Sequence, residues 1–328
     1  MNTLVFTCGD INGIGPEIVI KTINKIQNPA KRKIIFICPS NVFEHAAEII
    51  NPEFEFNVFK NLNEVIESRK PITILDIGKT KLNVGIPTKI SGLTSANAIE
   101  KSYQILISIK KSAVITAPIS KKSFELAGIN YSGQTEFYAS LSNSKKFLMM
   151  FLSQKFKAAL LTIHMPLKNV SEHITFEKIK NTIEILWNTL ATDFNIMNPE
   201  IALLGFNPHN GEDGRIGNEE REIIIPAIKK LNNKFVYGPF VPDAFFGTKS
   251  YKDYDAILGI YHDQVLIPFK MINFDKGVNF TAGLPIIRVS PDHGTAFDIA
   301  DFGIAKPTSM IAAVKWAEKV IMNRIKNE

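Results

Sequence analysis

Three of the six histidines in this 328-residue chain stand where an apolar run gives way to a turn, each beside proline or acid. They are His164 in Leu160-Leu161-Thr162-Ile163-His164-Met165-Pro166, His209 in Leu203-Leu204-Gly205-Phe206-Asn207-Pro208-His209, and His262 in Leu258-Gly259-Ile260-Tyr261-His262-Asp263. Strand ends in α/β proteins are where ligands collect, and neutral imidazole is the commonest metal ligand. Three such sites far apart in sequence point to one polar centre assembled from several loops. That is the pattern of a catalytic metal with three protein ligands and positions open to substrate. His45 and His173 fall on helical or surface segments and read as structural.

Other polar stretches carry the residue types of a ligand site, and each also has a plainer reading. Cys8-Gly9-Asp10-Ile11-Asn12-Gly13-Ile14-Gly15-Pro16-Glu17 puts Pro16 at a helix N1 position and Glu17 at the positive end of the macrodipole. Its glycines serve either close approach to a ligand or a tight turn, and their spacing is not that of the dinucleotide fingerprint. In Thr116-Ala117-Pro118-Ile119-Ser120-Lys121-Lys122, Ser120 reads as an N-cap, and Lys121 as a solvated side chain or a cation near a ligand. The densest polar loop, 207–220, runs from a strand into a helix near Glu219, and its composition favours function over disorder. Asn279, Thr281, Gly283 and Arg288 lead into Ser290-Pro291-Asp292-His293-Gly294-Thr295-Ala296-Phe297-Asp298. Arg288 has the role of a buried salt bridge or of a fork on a carboxylate or phosphate, and Lys270 presents a similar choice.

Short apolar runs alternate with amphipathic stretches throughout, which predicts βα units and a largely parallel sheet. Strands are expected over 4–7, 34–38, 72–75, 113–116, 148–152, 158–163, 201–204, 256–260 and 286–289. Ile179, Ile183, Leu186 and Leu190 form a helical stripe behind Thr175 as N-cap, and a last helix over about 308–325 repeats it with Met310, Val314, Ala317 and Ile321. Those stripes face a core and carry no chemistry. The length suits two domains or one large α/β unit, and 45% hydrophobic with 21% charged residues is ordinary for a globular protein. The net charge of +6 is scattered, without the basic face and stacking aromatics that nucleic-acid binding wants, but it suits an acidic small molecule. Cys8 and Cys38 read as reduced core residues; with neither a signal segment nor a membrane-length apolar run, a cytoplasmic protein is expected.

Taken in order, Gly9-Asp10-Ile11-Asn12-Gly13-Ile14-Gly15-Pro16-Glu17-Ile18, Thr116-Ala117-Pro118, Gly133-Gln134-Thr135-Glu136, His164-Met165-Pro166-Leu167, Asn207-Pro208-His209, Tyr261-His262-Asp263-Gln264 and Asp292-His293-Gly294-Thr295-Ala296 resemble the 4-hydroxythreonine-4-phosphate dehydrogenase family. The match runs from the first strand to the last helix. The His-Gly-Thr-Ala stretch is also similar to isocitrate and isopropylmalate dehydrogenases. The resemblance implies a two-domain α/β/α fold with mostly parallel sheets and an active-site cleft between domains. It divides the chain into residues 1–130 plus 280–328 on the cofactor side, and 131–279 with the metal ligands and dimer interface. It implies a homodimer with shared sites, in which His164, His209 and His262 hold the metal and His262 reaches in from the partner. Gln134, Thr135, Lys270, Asn279 and Arg288 would hold the phosphorylated substrate, and His293, Gly294, Thr295 and Asp298 would lie near NAD or NADP. The family usually has histidine at position 134 and glycine at 301, where this chain has Gln134 and Asp301.

The chemistry so implied is oxidation of the C3 hydroxyl of 4-phosphohydroxy-L-threonine, aided by a divalent cation as Lewis acid. Zinc suits three imidazoles, and magnesium, manganese or cobalt could serve. The β-keto acid then loses CO₂ to give 3-amino-2-oxopropyl phosphate, a precursor of pyridoxine 5′-phosphate and vitamin B6. Asp243 and Asp263 are candidate general bases by chemistry alone. A dehydrogenase for a four-carbon sugar-acid phosphate, threonate or erythronate 4-phosphate, would use the same parts. A non-catalytic metal or phospho-metabolite sensor would keep the fold alone.

Overall fold

A computed structural model describes residues 1–28 and 30–327. The chain divides into two compact units, Met1–Lys145 with Leu284–Lys326, and Lys146–Gly283.

In the first unit β1 (Asn2–Thr7), β2 (Arg32–Cys38), β3 (Asn57–Phe59), β4 (Ile72–Asp76) and β5 (Ser112–Thr116) alternate with α1 (Gly15–Ile26), α2 (Ser40–Ile50), α3 (Leu62–Glu67) and α4 (Lys89–Ser108). They are followed by α5 (Lys121–Leu126) and α6 (Gln134–Leu141). The strands pair in the order β3-β4-β2-β1-β5, every pair parallel. Strands buried on both faces read as unbroken apolar runs, and Ile34-Ile35-Phe36-Ile37 is all but inaccessible. Cys8 and Cys38 are free and buried in this layer, and burial pushes the Cys38 thiol well up.

The second unit holds β6 (Leu148–Leu152), β7 (Lys157–Leu160), α7 (Phe176–Thr192), β8 (Ile201–Leu204), α8 (Ile225–Leu231), β9 (Val236–Phe240), α9 (Pro242–Gly247), β10 (Ala256–Gly259), α10 (His262–Asn273) and β11 (Val278–Ala282). Its strand order is β11-β6-β7-β10-β8-β9. β6 pairs antiparallel with β11 and β7, and the remaining pairs are parallel. The hairpin from β6 to β7 is closed by Ser153, whose hydroxyl accepts from the amides of Lys155 and Phe156. Thr175 caps α7 as expected, accepting from Lys178 N at 3.2 Å. Phe151, Phe156, Tyr251, Val265, Leu266 and Phe269 pack one face of α10 onto β6, β7 and β10.

The chain then returns to the first unit as β12 (Arg288–Pro291), parallel to β5, and ends in α11 (Thr308–Asn327), which buries Met310, Val314, Ala317 and Ile321. This is an α/β fold of largely parallel strands, as the alternation predicts. Among the described residues no helix is long and apolar enough to cross a membrane.

Candidate active site

In the second unit the three predicted metal ligands follow the carboxyl ends of β7, β8 and β10, which lie side by side in the order β7-β10-β8. The strand expected to reach Ile163 ends at Leu160, and the chain peels away to carry His164. It stays tied to the β10 exit: Leu161 N donates to Gly259 O at 2.8 Å, and the Thr162 hydroxyl donates to Ile260 O at 2.6 Å. This brings the imidazoles of His164 and His262 together within one chain, ring centroids 5.6 Å apart. Nδ1 of His262 lies 2.6 Å from Asp263 Oδ1, a contact of the kind that orients an imidazole and leaves Nε2 as the nitrogen for a ligand. His209 stands exposed on the β8 loop, and among the described residues of this chain no three His, Cys, Asp or Glu side chains form a metal-holding group. Two imidazoles brought together, one braced by carboxylate, fit part of a donor set for a borderline divalent cation.

Asp243, at the start of α9, and Asp263 line one open depression of this unit with Phe246, Tyr261, Ile267 and Met271. Lys270 is exposed on the last turn of α10. Asn279 lies on β11, its Oδ1 buried and meeting no donor.

In the first unit Arg288 begins β12 and is 4% exposed. Its guanidinium donates to Thr116 Oγ1 from Nη2 at 2.9 Å and from Nε at 3.2 Å, and to Thr135 Oγ1 from Nη1 at 3.1 Å. Burial pushes its pKa down to about 10 against the pull of Tyr138 and Glu136, and burial likewise raises the Tyr138 phenol. Gln134, the first residue of α6, donates through Nε2 to Ala117 O at 2.9 Å, while its Oε1 is buried without a donor. Thr135, Gln134 and Arg288 lie together here, and a buried guanidinium braced by two threonine hydroxyls has the donor geometry to take an oxyanion.

The segment expected near a nucleotide also lies in this unit. Ile14 N donates to Thr295 O at 3.0 Å, joining the glycine-rich first loop to the His293–Asp298 segment. His293 Nδ1 lies 3.2 Å from Gly294 O, Gly294 faces open space, and Asp298 is exposed on a short 3₁₀ turn. The first loop itself is built on a residue that sequence reasoning passed over. Asp10 is fully buried and accepts from the Ser123 and Ser91 hydroxyls and from Asn12 N. Burial sets its carboxyl above the usual range. Gly9 has φ +66°, and a Cβ there would come within 2.3 Å of Pro118 O, so the first loop and the Thr116-Ala117-Pro118 turn fit only with glycine. Ser120 is the N-cap of α5, accepting from Ser123 N, and Lys121 is exposed. A lone Asp in Gly9-Asp10-Ile11-Asn12-Gly13 gives no hint of the two serines that reach it from distant helices.

Imidazoles at parallel-strand ends and a buried guanidinium among hydroxyls are the equipment of an enzyme for small anionic substrates. The comparisons name the family: residues 30–317 match the one described as pyridoxal phosphate biosynthetic protein PdxA, and the chain belongs to it. A 4-hydroxythreonine-4-phosphate dehydrogenase of Sulfurihydrogenibium sp. is 38% identical over 99% of this chain and 100% of its own length. The crystal structure of 4-hydroxythreonine-4-phosphate dehydrogenase from Klebsiella pneumoniae superposes with a TM-score of 0.84 at 32% identity, covering 98% of each chain. An isocitrate dehydrogenase from Methylococcus capsulatus shares the fold, with a TM-score of 0.50 at 14% identity over 100% of this chain and 89% of that one.

Proposed function

We propose that this protein oxidises 4-hydroxythreonine 4-phosphate at its C3 hydroxyl with NAD or NADP as hydride acceptor, and that the resulting β-keto acid loses CO₂ to give 3-amino-2-oxopropyl phosphate. The reading is carried by the meeting of His164 and His262 from separate strand ends, with Asp263 bracing one of them. A divalent cation held by imidazoles would supply Lewis acidity toward the substrate hydroxyl. His164 and His262, which meet within this chain, would hold it, with His209 as the third ligand. A homodimer is supported by the outer side of α10, where Ile267, Met271 and the following Phe274 are 58%, 82% and 80% exposed.

Arg288 is assigned to the phosphate or the carboxylate of the substrate, with Thr116 and Thr135 fixing the plane of its fork, and Lys270 to the other anion. The unmatched carbonyl oxygens of Gln134 and Asn279 suit the substrate's hydroxyl or ammonium donors. Asp263 is already committed to His262, so Asp243 is the better candidate to take the hydroxyl proton. The His293–Asp298 segment is assigned to the nucleotide. The site of action is taken to be the cytoplasm.

The test is turnover by purified protein supplied with NAD or NADP and with zinc, magnesium, manganese or cobalt. Reduced nucleotide and CO₂ are expected from 4-hydroxythreonine 4-phosphate. Turnover of threonate or erythronate 4-phosphate alone would replace the substrate, and cation binding without any turnover would leave a sensor.

A further inference from the structure

We propose that Glu220 is the positioning residue of His209: its buried carboxylate clamps the entry to a left-handed turn that aims the imidazole. The inference rests on the reading of His209 as a metal ligand. From His209 to Gly214 six consecutive residues have positive φ, at 51°, 53°, 79°, 45°, 55° and 95°. L-residues adopt a left-handed turn only against Cβ–carbonyl repulsion, so such a turn persists where its surroundings over-determine it, and it clusters at functional sites. The sequence His-Asn-Gly-Glu-Asp-Gly lowers the cost: glycine is free there, and Asn, Asp and His tolerate the region, which leaves Glu212 as the residue without that tolerance.

Local preference alone does not select this turn over an ordinary loop. The selection comes from Glu220, 1% exposed. Its Oε1 accepts from Phe206 N and Asn207 N, both at 2.6 Å, and its Oε2 accepts from Asn207 Nδ2 at 2.8 Å. Glu219 Oε2 takes the same amide at 2.7 Å. The last residues before Pro208 and His209 are thereby fixed. Glu220 opens a single π turn, Glu220–Ile224, ahead of α8, a feature frequent at functional sites. The turn is pinned on its far side by Asn210 Nδ2, which donates to Pro239 O at 2.8 Å, and by Ile216 N, which donates to Gly211 O at 3.0 Å. Gly205 makes the room: a Cβ there would lie 2.1 Å from Asn210 Oδ1 and 3.3 Å from Glu220 Oε1. Gln264, two residues past His262, donates to Gly205 O at 2.6 Å and accepts from Ile260 N at 2.7 Å, so the loops bearing His209 and His262 share one brace.

Zinc affinity is measured by competition titration on the full chain, with wild type, His209→Ala, Glu220→Ala, Glu220→Gln and the exposed neighbour Glu222→Gln. Groups that orient a ligand are typically worth about 10–100-fold in metal affinity. Glu220→Ala is expected to weaken zinc at least tenfold. Glu220→Gln, which keeps one acceptor for the backbone amides but sets its NH₂ against Asn207 Nδ2, is expected to lie between wild type and alanine, and Glu222→Gln to match wild type. If His209→Ala binds zinc as wild type does, the ligand reading falls and takes the proposal with it. If His209→Ala loses zinc while both Glu220 variants keep wild-type affinity, the positioning role alone is overturned. Should Glu220→Ala fail to fold, the glutamine variant decides by itself, and wild-type affinity there overturns the proposal.

Discussion

Replacing Arg288 with methionine separates a group held for binding from one held for folding. The two side chains have similar length and volume, so the cavity stays filled. The surroundings as a whole lower the arginine pKa from 12.5 to about 10. At about 1.4 kcal/mol per tenfold, that is a penalty of roughly 3 kcal/mol on the charged form in the folded protein. Against it stand the buried hydroxyls of Thr116 and Thr135, which methionine would leave without the guanidinium donor at about 1 kcal/mol or more each. The two sides nearly cancel, so Arg288→Met is expected to change folding stability by no more than about 1–2 kcal/mol in either direction, as replacement of other buried charges has done. Activity should respond differently. Two charge-assisted bonds to a substrate oxyanion at about 1.5 kcal/mol or more apiece predict a loss of at least a hundredfold in kcat/KM. Denaturant melts and steady-state kinetics on the same preparation read both quantities. A variant destabilised by more than about 4 kcal/mol, with activity falling only as the folded fraction falls, would make Arg288 a structural group and refute the argument.

Gly9→Ala places a Cβ 2.3 Å from Pro118 O at φ +66° and should cost about 2–4 kcal/mol from overpacking and left-handed strain, visible as a lower denaturation midpoint. Asp10 has a folded pKa above its unfolded value, so its carboxyl contributes stability that is full below the unfolded pKa and is lost as pH rises through the folded one. Asp10→Asn should therefore flatten the stability–pH curve in the acidic range just above 3.8, and an unchanged curve would show that the charge is not desolvated. Met271→Asp, on the exposed outer side of α10, should yield monomers by analytical ultracentrifugation at concentrations where the parent is dimeric, because an aspartate cannot be buried there without a partner.

The strands legible in the sequence are those whose runs are largely apolar, β1, β2, β4, β5, β6, β8 and β10, because burial on both faces leaves little place for polar residues, and β7 and β12 are legible with bounds shifted by a few residues. The missed ones break the pattern for physical reasons. β9 reads Val-Tyr-Gly-Pro-Phe, and proline argues against a strand; it survives because β9 is the last strand in the order and has a free side. β11 carries Asn279 and Thr281 among its apolar residues, and β3 is three residues long. At the site, the histidines announced themselves through residue type and position after apolar runs. Glu220 and Asp10 did not, because one acid among many acquires meaning only from the distant backbone amides and hydroxyls that fold against it.

The two positions that depart from the family pattern show how such meaning is read from backbone and partners together. Asp301 has φ +67°, the left-handed region, which explains a preference for glycine there; aspartate is among the few side chains that tolerate it. Its Oδ2 lies 2.7 Å from Nε2 of His45 on α2, so the carboxylate has a local partner, and the turn is kept by a side-chain contact in place of backbone freedom. His45, which the sequence marks as merely structural, is thus the residue that makes Asp301 workable. At position 134 the amide serves two directions at once. Nε2 secures Ala117 O at the Thr116-Ala117-Pro118 turn, and Oε1 is left as a buried acceptor close to the threonine pair that braces Arg288. A glutamine so held can orient a donor but cannot relay a proton, so the acid–base role that a histidine could fill at this position is closed to this chain.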